Sequence, residues 1–143
     1  MIHINTEKIV ILKGADGIRQ AYRETLKAGA LDIVCLSQKY DAVLGGFFEG
    51  EYAPVLYGPD ITTREILPDT PENRAAADKK GNKHEVRLLA GAAHSESDMV
   101  ISADRVTLVS FDPAAPFAAI ITDRGLVASL KMQFDALWGH LKV

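Results

Sequence analysis

The sequence predicts an α/β domain in which a mixed central sheet of about six or seven strands is flanked by helices. Two kinds of pattern support this fold class. Short apolar runs, several of them β-branched, recur along the 143 residues and are separated by turn-forming residues. The stretch at 125–141 instead repeats its apolar residues at helical spacing. That helix must cover a large apolar surface, and the predicted sheet is the one available.

The N-terminal part predicts a strand, a helix and a second strand. A short apolar run between two lysines, residues 8–13, forms the first strand. We expect Asp16 to cap a helix over residues 15–28 and Gly29 to end it. Residues 31–37 are almost continuously apolar and form the second strand. A strand, a helix and a strand within 30 residues favour parallel pairing of the two strands.

The next stretch combines a helical pattern with an aromatic cluster. Residues 40–50 predict a helix, which glycines in its middle weaken by roughly 1 kcal/mol each relative to Ala. Phe47, Phe48 and Tyr52 are close together in this part of the sequence. We interpret them as a satellite core. The wall of a pocket and a subunit contact are the alternatives.

Two further strands enclose a polar helix. Residues 62–67 and 84–89 predict the strands, and residues 70–80 predict the helix between them. Thr70 is suited to be the N-cap and Pro71 the first helical residue. The helix carries alanines but lacks large apolar residues, so we expect it to be short and exposed to solvent.

The C-terminal part predicts three strands in the middle of the sheet and the closing helix. The runs at 99–102, 106–111 and 117–122 do not alternate cleanly between apolar and polar residues, which indicates strands covered on both faces. The helix at 125–141 has one apolar stripe, formed by Val127, Leu130, Phe134, Leu137 and Leu141. Trp138 lies beside this stripe, and we expect it in the core or an interface.

Length, charge and cysteine content indicate a single cytoplasmic domain. The net charge of −3 argues against a large basic face for nucleic acid. Apolar runs stay well short of the roughly 20 residues of a membrane span, and the N-terminus does not resemble a secretory signal. The single Cys35 fits a reducing compartment. We therefore expect one soluble domain over residues 1–143, without membrane contact.

Motifs for catalysis and cofactor binding are absent from the sequence. It lacks the phosphate-binding, dinucleotide-binding and serine-nucleophile glycine motifs. One cysteine and four scattered histidines do not form a zinc pattern. We therefore predict that the domain uses neither a cofactor nor a metal ion.

Several short motifs follow one another in a characteristic order. They are Gly-Ala-Asp-Gly-Ile at 14–18, the strand at 33–37, two arginine-bearing strands with Arg64 and Arg87, Met-Val-Ile at 99–101, Asp-Arg-Val at 104–106, Ala-Ile-Ile at 119–121 and Phe-Asp-Ala-Leu-Trp at 134–138. This order resembles the C-terminal effector-sensing region of TrmB-like transcriptional regulators. The similarity extends from about Ile9 to Leu141 and implies a fold similar to one half of phospholipase D.

Two departures from the family pattern limit what the resemblance implies. TrmB-like regulators carry a winged helix-turn-helix before this region, whereas eight residues precede Ile9, where the similarity begins here, so we expect no direct contact with nucleic acid. Catalytic phospholipase D relatives carry a His-x-Lys motif, which corresponds here to His94, Ser95 and Glu96. A carboxylate in the lysine position repels a phosphate rather than neutralising it. The resemblance therefore implies a non-catalytic domain.

Five residues are candidates for ligand binding: Ser37, Tyr40, Arg64, Arg87 and His94. Ser37 follows a central strand, where α/β sheets bind ligands, or else it initiates a turn. Tyr40 could stack on a sugar ring or cover the core. The arginines could hold an anionic or polyhydroxyl ligand, or form surface ion pairs. His94 is either a relic nucleophile or an exposed loop residue.

These patterns together favour a non-catalytic small-molecule-sensing domain. We expect its effector to be a sugar or an anionic metabolite, and we expect it to act through a homodimer or a partner protein. Two alternatives remain open. One is a divergent phospholipase D-like phosphodiesterase, and the other is an interaction module that self-associates through the helix near Trp138.

Overall fold

A computed structural model describes residues 8–38, 40–90 and 95–141, and its central feature is a seven-stranded mixed sheet. The strands are β1 (Ile9–Lys13), β2 (Ala30–Cys35), β3 (Thr62–Pro68), β4 (His84–Leu89), β5 (Ser97–Ile101), β6 (Val106–Ser110) and β7 (Phe117–Ile121). The helices are α1 (Gly14–Thr25), α2 (Tyr40–Leu44), a π-helical turn (Phe48–Tyr52), α3 (Ala53–Leu56), α4 (Pro71–Lys79) and α5 (Arg124–His140). The predicted α/β class and strand number are confirmed.

The order of strands across the sheet is β1-β7-β6-β5-β2-β3-β4. Strands β2, β3 and β4 pair in parallel, and the other neighbours pair antiparallel. The prediction that β1 and β2 pair is wrong, because β5, β6 and β7 lie between them. Four successive antiparallel pairings still leave β1 and β2 pointing in the same direction.

The core lies on both faces of this sheet. One face packs against α1, α2 and α3, with Ile18, Leu31, Ile33, Val100, Val109 and Phe111 among its buried residues. The opposite face packs against α5, with Ile66, Ile101, Val106, Ile121, Val127, Phe134 and Trp138 buried. The predicted docking of the C-terminal amphipathic helix on the sheet is therefore confirmed, and Trp138 is a core residue.

The start of α1 differs from the prediction. Gly14, at a φ of 76°, lets the helix begin directly after β1, so that Lys13 is the N-cap. Asp16 lies instead within the first turn, where it forms an ion pair with Arg19. The helix ends with Leu26 as C-cap, three residues before Gly29.

The single helix predicted over residues 40–50 is divided into α2, the π-helical turn and α3. Gly45, at a φ of 61°, lies just after α2. Because of this break, Phe47 and Tyr52 turn inward and join the main core, which corrects their interpretation as a satellite core. Phe48 is partly buried, and its ring centroid is 5.1 Å from that of Tyr40.

The polar helix α4 matches its prediction. The Thr70 side chain accepts a hydrogen bond from the Asn73 backbone amide at 3.1 Å, and Pro71 is the first helical residue. Every residue of α4 is at least partly exposed. Within the described part of the chain, the helices are too short or too polar to cross a bilayer.

Candidate functional site

A cavity of about 510 Å³ opens at the carboxyl ends of the parallel strands β2 and β3. Its floor is formed by sheet residues, namely Ile33, Cys35, Glu65, Leu67, Asp98 and Val100. One wall consists of aromatic residues, namely Tyr22, Tyr40, Phe48, Tyr52 and Tyr57. Its volume is within the range of small-molecule sites, and α/β sheets bind ligands at this edge.

The sequence of α4 explains why this space is open. Three residues of this segment face the cavity: Asn73, Ala76 and the C-cap residue Lys80. They follow one another at helical spacing, so they lie on one side of the helix. This face offers a short amide, a methyl group and a charged chain to the sheet below. Because α4 has no large apolar side chain, it cannot fill the space as a core helix would.

Asp98 is a buried carboxylate in the floor of the cavity, with 4% of its surface exposed. Oxygen Oδ2 accepts hydrogen bonds from the Tyr22 hydroxyl at 2.7 Å and from the Tyr40 hydroxyl. Oxygen Oδ1 is buried and, among the described residues, has no hydrogen-bond partner. Burial raises the pKa of Asp98 to about 6, and hydrogen bonds from both tyrosines, the Ser37 backbone amide and the Cys35 thiol oppose that rise.

The groups around Asp98 keep their protons. Burial and the nearby carboxylate raise the pKa values of Tyr22 and Tyr40 well above the ordinary value for tyrosine. Burial likewise raises the pKa of the Cys35 thiol, whose sulfur contacts the Tyr40 hydroxyl. Because Tyr40 donates its proton to Asp98, the thiol is the donor in its own contacts with Tyr40 and Asp98. The cluster therefore consists of one acceptor surrounded by neutral donors.

A second buried carboxylate, Glu65, is fully paired. Lys80 Nζ lies 2.8 Å from Glu65 Oε2, and the Tyr57 hydroxyl donates to Oε1 at 2.6 Å. Lys80 also lies over the Tyr57 ring, 4.4 Å from its centroid. These contacts attach the end of α4 to β3. Lys80 and Glu65 neutralise each other, whereas Asp98 has tyrosine and thiol donors but no cation in these contacts.

A larger hollow of about 840 Å³ lies at the opposite end of the parallel strands. Its central carboxylate, Asp32, accepts two hydrogen bonds from Arg64, at 2.7 and 2.9 Å, and one from Lys131. Burial alone would raise the pKa of Asp32, but the bonds from Arg64 and Lys131 outweigh it and lower that pKa. Because Arg64 and Lys131 neutralise the central carboxylate of this larger hollow, the smaller cavity is the better candidate site.

Three solved structures share this architecture. NucT from Helicobacter pylori aligns over 94% of this chain and 97% of its own, with a TM-score of 0.68 at 13% identity. Nuc from Salmonella typhimurium, a phospholipase D family member, aligns over 94% of this chain and 95% of its own, with a TM-score of 0.59 at 12% identity. The chain has a phospholipase D-like fold. The fold implied by the sequence resemblance is thus confirmed.

The third structure is TrmBL2, described as an archaeal chromatin protein with a novel mode of DNA binding. It aligns over 99% of this chain with a TM-score of 0.60 at 21% identity. The chain spans about half of TrmBL2, 56% of its length. No protein-family model and no curated protein matches the sequence. The similarity to these structures therefore concerns the phospholipase D-like fold itself.

The described residues among the predicted ligand-binding candidates do not lie together in the phospholipase D-like fold. Ser37 and Tyr40 line the cavity. Arg64 lies on the opposite face of the sheet, 5.1 Å from the Phe134 ring centroid, and is paired with Asp32. Their ligand-binding roles stay predictions. The structure gives Arg64 the alternative role of ion pairing, although the pair is largely buried rather than on the surface.

Arg87 is also apart from Ser37 and Tyr40. The Arg87 guanidinium lies 4.4 Å from the Trp138 ring centroid and donates to the backbone carbonyl of Trp138 at the end of α5. His94 lies outside the described residues, so its predicted role stays a prediction. Arg87 thus adds a side-chain hydrogen bond to the last turn of α5, where the Leu141 backbone amide also donates to the Trp138 carbonyl.

Sequence reasoning missed Asp98, Glu65, Glu72 and Lys80, which are charged residues that line the cavity. One signal was available for the two strand acids, Glu65 and Asp98, because the residue two positions further along each strand is apolar, Leu67 and Val100 respectively. Side chains at such positions share a face of the strand. A carboxylate on an apolar face is either paired or functional, and the sequence alone does not show which.

Proposed function

We propose that the cavity binds a small-molecule effector and that the chain is a non-catalytic sensing domain. The observation that carries the proposal is Asp98, a buried carboxylate in the floor of a 510 Å³ cavity whose Oδ1 has no hydrogen-bond partner among the residues that the structure describes. A buried polar group without a partner costs free energy, so its retention is more readily explained by a ligand than by stability. Ser37 and Tyr40 at the same site support the proposal.

Occupancy of this site would couple to the position of α4. The helix is attached through Lys80 to Glu65 and through the Asn73 side chain, which donates to the Pro68 carbonyl at 2.8 Å. A ligand that contacts both α4 and the sheet would stabilise this arrangement over one in which the helix is displaced. We propose that a partner protein or a second copy reads this difference, as in transcription regulation.

A phosphodiesterase is the second candidate, favoured by the alignment of the chain with nearly all of two phospholipase D-like structures. Glu96 stands where the sequence resemblance places a lysine, and it is exposed directly before β5. Its negative charge would raise the energy of a phosphoryl-transfer transition state. Measuring hydrolysis of bis(p-nitrophenyl) phosphate tests this candidate, and activity that His94→Ala abolishes would replace our proposal.

The homodimer is also part of the proposal. Ile9, Leu108 and Phe117 are exposed apolar residues on β1, β6 and β7, on the part of the α5 face that the helix leaves uncovered. Contiguous exposed apolar surface is typical of interaction sites. We propose that a second copy covers this surface. The net charge of −3 over the 143 residues gives no support for direct DNA binding, and we propose a cytoplasmic location.

A cavity-filling pair of variants tests the binding site. Ala76 faces the cavity, whereas Ala77 lies on a different side of the same helix. For any compound that raises the unfolding temperature of the wild type, Ala76→Trp should abolish the rise and Ala77→Trp should keep it. Equal binding to both variants would show that the compound binds elsewhere.

A further inference from the structure

The charges that line the cavity indicate which class of ligand it accepts. Its acidic residues are Glu65, Glu72 and Asp98, and the lysine that lines it is Lys80. Lys80 is already paired with Glu65. An anionic ligand would therefore meet a negative surface in the described part of the cavity, in contrast to the anionic metabolite expected from Arg64 and Arg87.

The surroundings of Asp98 are suited to a cation. Tyr22 from α1, Tyr40 from α2 and Cys35 from β2 contact the carboxylate or its tyrosine donor, and all three are neutral donors. The Tyr40 ring lies beside Phe48, and Tyr22 lies beside Tyr52 with centroids 4.8 Å apart. Aromatic faces around a carboxylate attract an ammonium ion by charge pairing and by cation–π interaction.

We infer that the cavity binds an organic ammonium ion, that is, a protonated amine carried on an apolar or aromatic body. The amine pairs with the Asp98 carboxylate, whose Oδ1 has no other partner in the described part of the chain, and the apolar body lies against Tyr40, Phe48 and Tyr52. This inference rests on the proposed function, because it names the class of effector for the same site. The floor beneath the body is apolar, with Ile33, Leu67 and Val100.

Three compounds of one shape test this inference by calorimetry at pH 7.5. Benzylamine is a cation, benzyl alcohol is neutral and benzoate is an anion. We expect benzylamine to bind at least tenfold more tightly than benzyl alcohol, and benzoate to bind more weakly than both. Asp98→Asn, which keeps the shape and removes the charge, should remove the preference for benzylamine. The matched control Asp104→Asn, at an exposed turn outside the cavity, should keep it.

The pH dependence provides a second readout. Burial raises the pKa of Asp98 to about 6, so pH 5 lies one unit below that pKa. Lowering the pH from 7.5 to 5 should therefore protonate most of the carboxylate and weaken benzylamine binding by about tenfold. Tyr22, Tyr40 and Cys35 stay neutral over this interval, since their pKa values are raised. Binding that does not change with pH would overturn the inference.

Glucose and glucose 6-phosphate, tested by thermal shift, separate this inference from the proposed function. If either compound raises the unfolding temperature and the amine does not, the ammonium class is wrong and the sensing proposal stands. If benzyl alcohol binds as tightly as benzylamine, the ammonium class is also wrong. If the whole panel leaves the protein unaffected, both proposals fail.

Discussion

Replacing Asp98 by Asn should make the protein more stable at neutral pH. The pKa of this carboxyl group is raised from 3.8 to about 6, chiefly by burial. The folded state therefore holds the proton more tightly than the unfolded state. As pH rises through the interval from 3.8 to about 6, the unfolded chain ionises first and the folded protein loses stability. Above that interval the loss is complete.

The size of this loss follows from the two pKa values. At about 1.4 kcal/mol per pKa unit, the gap corresponds to about 3 kcal/mol. Asn has nearly the shape of the protonated acid. Asp98→Asn should therefore recover most of the lost free energy of unfolding, about 2 kcal/mol, at pH 7.5. The gain should shrink towards zero as the pH falls to 3.8. A carboxylate that reduces stability is typical of a residue retained for function.

Urea unfolding measures the gain in the free energy of unfolding, which should be about 2 kcal/mol at pH 7.5 and no more than about 1 kcal/mol at pH 4.5, provided that the slope m is unchanged. Asp104→Asn serves as the control, because its carboxylate is largely exposed and should change stability by less than about 0.5 kcal/mol. If Asp98→Asn destabilises the protein by more than about 1 kcal/mol at pH 7.5, then the tyrosine hydrogen bonds make Asp98 a structural acceptor, and the reasoning from its burial is refuted.

Three further predictions concern the fold and the assembly. In Gly17→Ala the new methyl group would lie 2.6 Å from the Leu12 carbonyl carbon, so we expect a loss of more than about 2 kcal/mol in urea unfolding; Gly139→Ala, in open space near the end of α5, should be neutral or stabilising by up to about 1 kcal/mol. Phe134→Ala should cost about 3–5 kcal/mol, whereas Met132→Ala, on the exposed side of α5, should cost less than about 0.5 kcal/mol; equal losses would show that α5 does not dock on the sheet. Leu108→Lys should convert a dimer into a monomer in sedimentation equilibrium, and an unchanged mass would place the dimer contact elsewhere.

Local sequence patterns were sufficient for the elements whose structure depends on near neighbours. The apolar stripe of α5 and the Thr70 cap of α4 are such cases, since spacing and a single side chain decide them. The sheet order was not predictable in this way. The direction of β1 and β2 follows from the helix between them, but their separation depends on three strands from the end of the chain.

The candidate site was predictable only where it follows from strand direction. Ser37 was nominated because it ends a central parallel strand, and it does line the cavity. Asp98 was not predictable, because the hydrogen bonds that it accepts come from Tyr22 and Tyr40, which are 76 and 58 residues away in sequence. Arg64 was grouped with Ser37, although it lies on the opposite face of the sheet from its neighbour Glu65. Grouping by residue type cannot reveal which face a strand residue occupies.

Amide chemical-shift mapping with benzylamine reports where a ligand binds without assuming the site. We expect the largest shifts to cluster at the mouth and floor of the cavity, around Ser37, Thr70, Asn73 and Asp98, and to disappear in Asp98→Asn. Shifts centred instead on Arg64 and Trp138, across the sheet, would contradict this expectation.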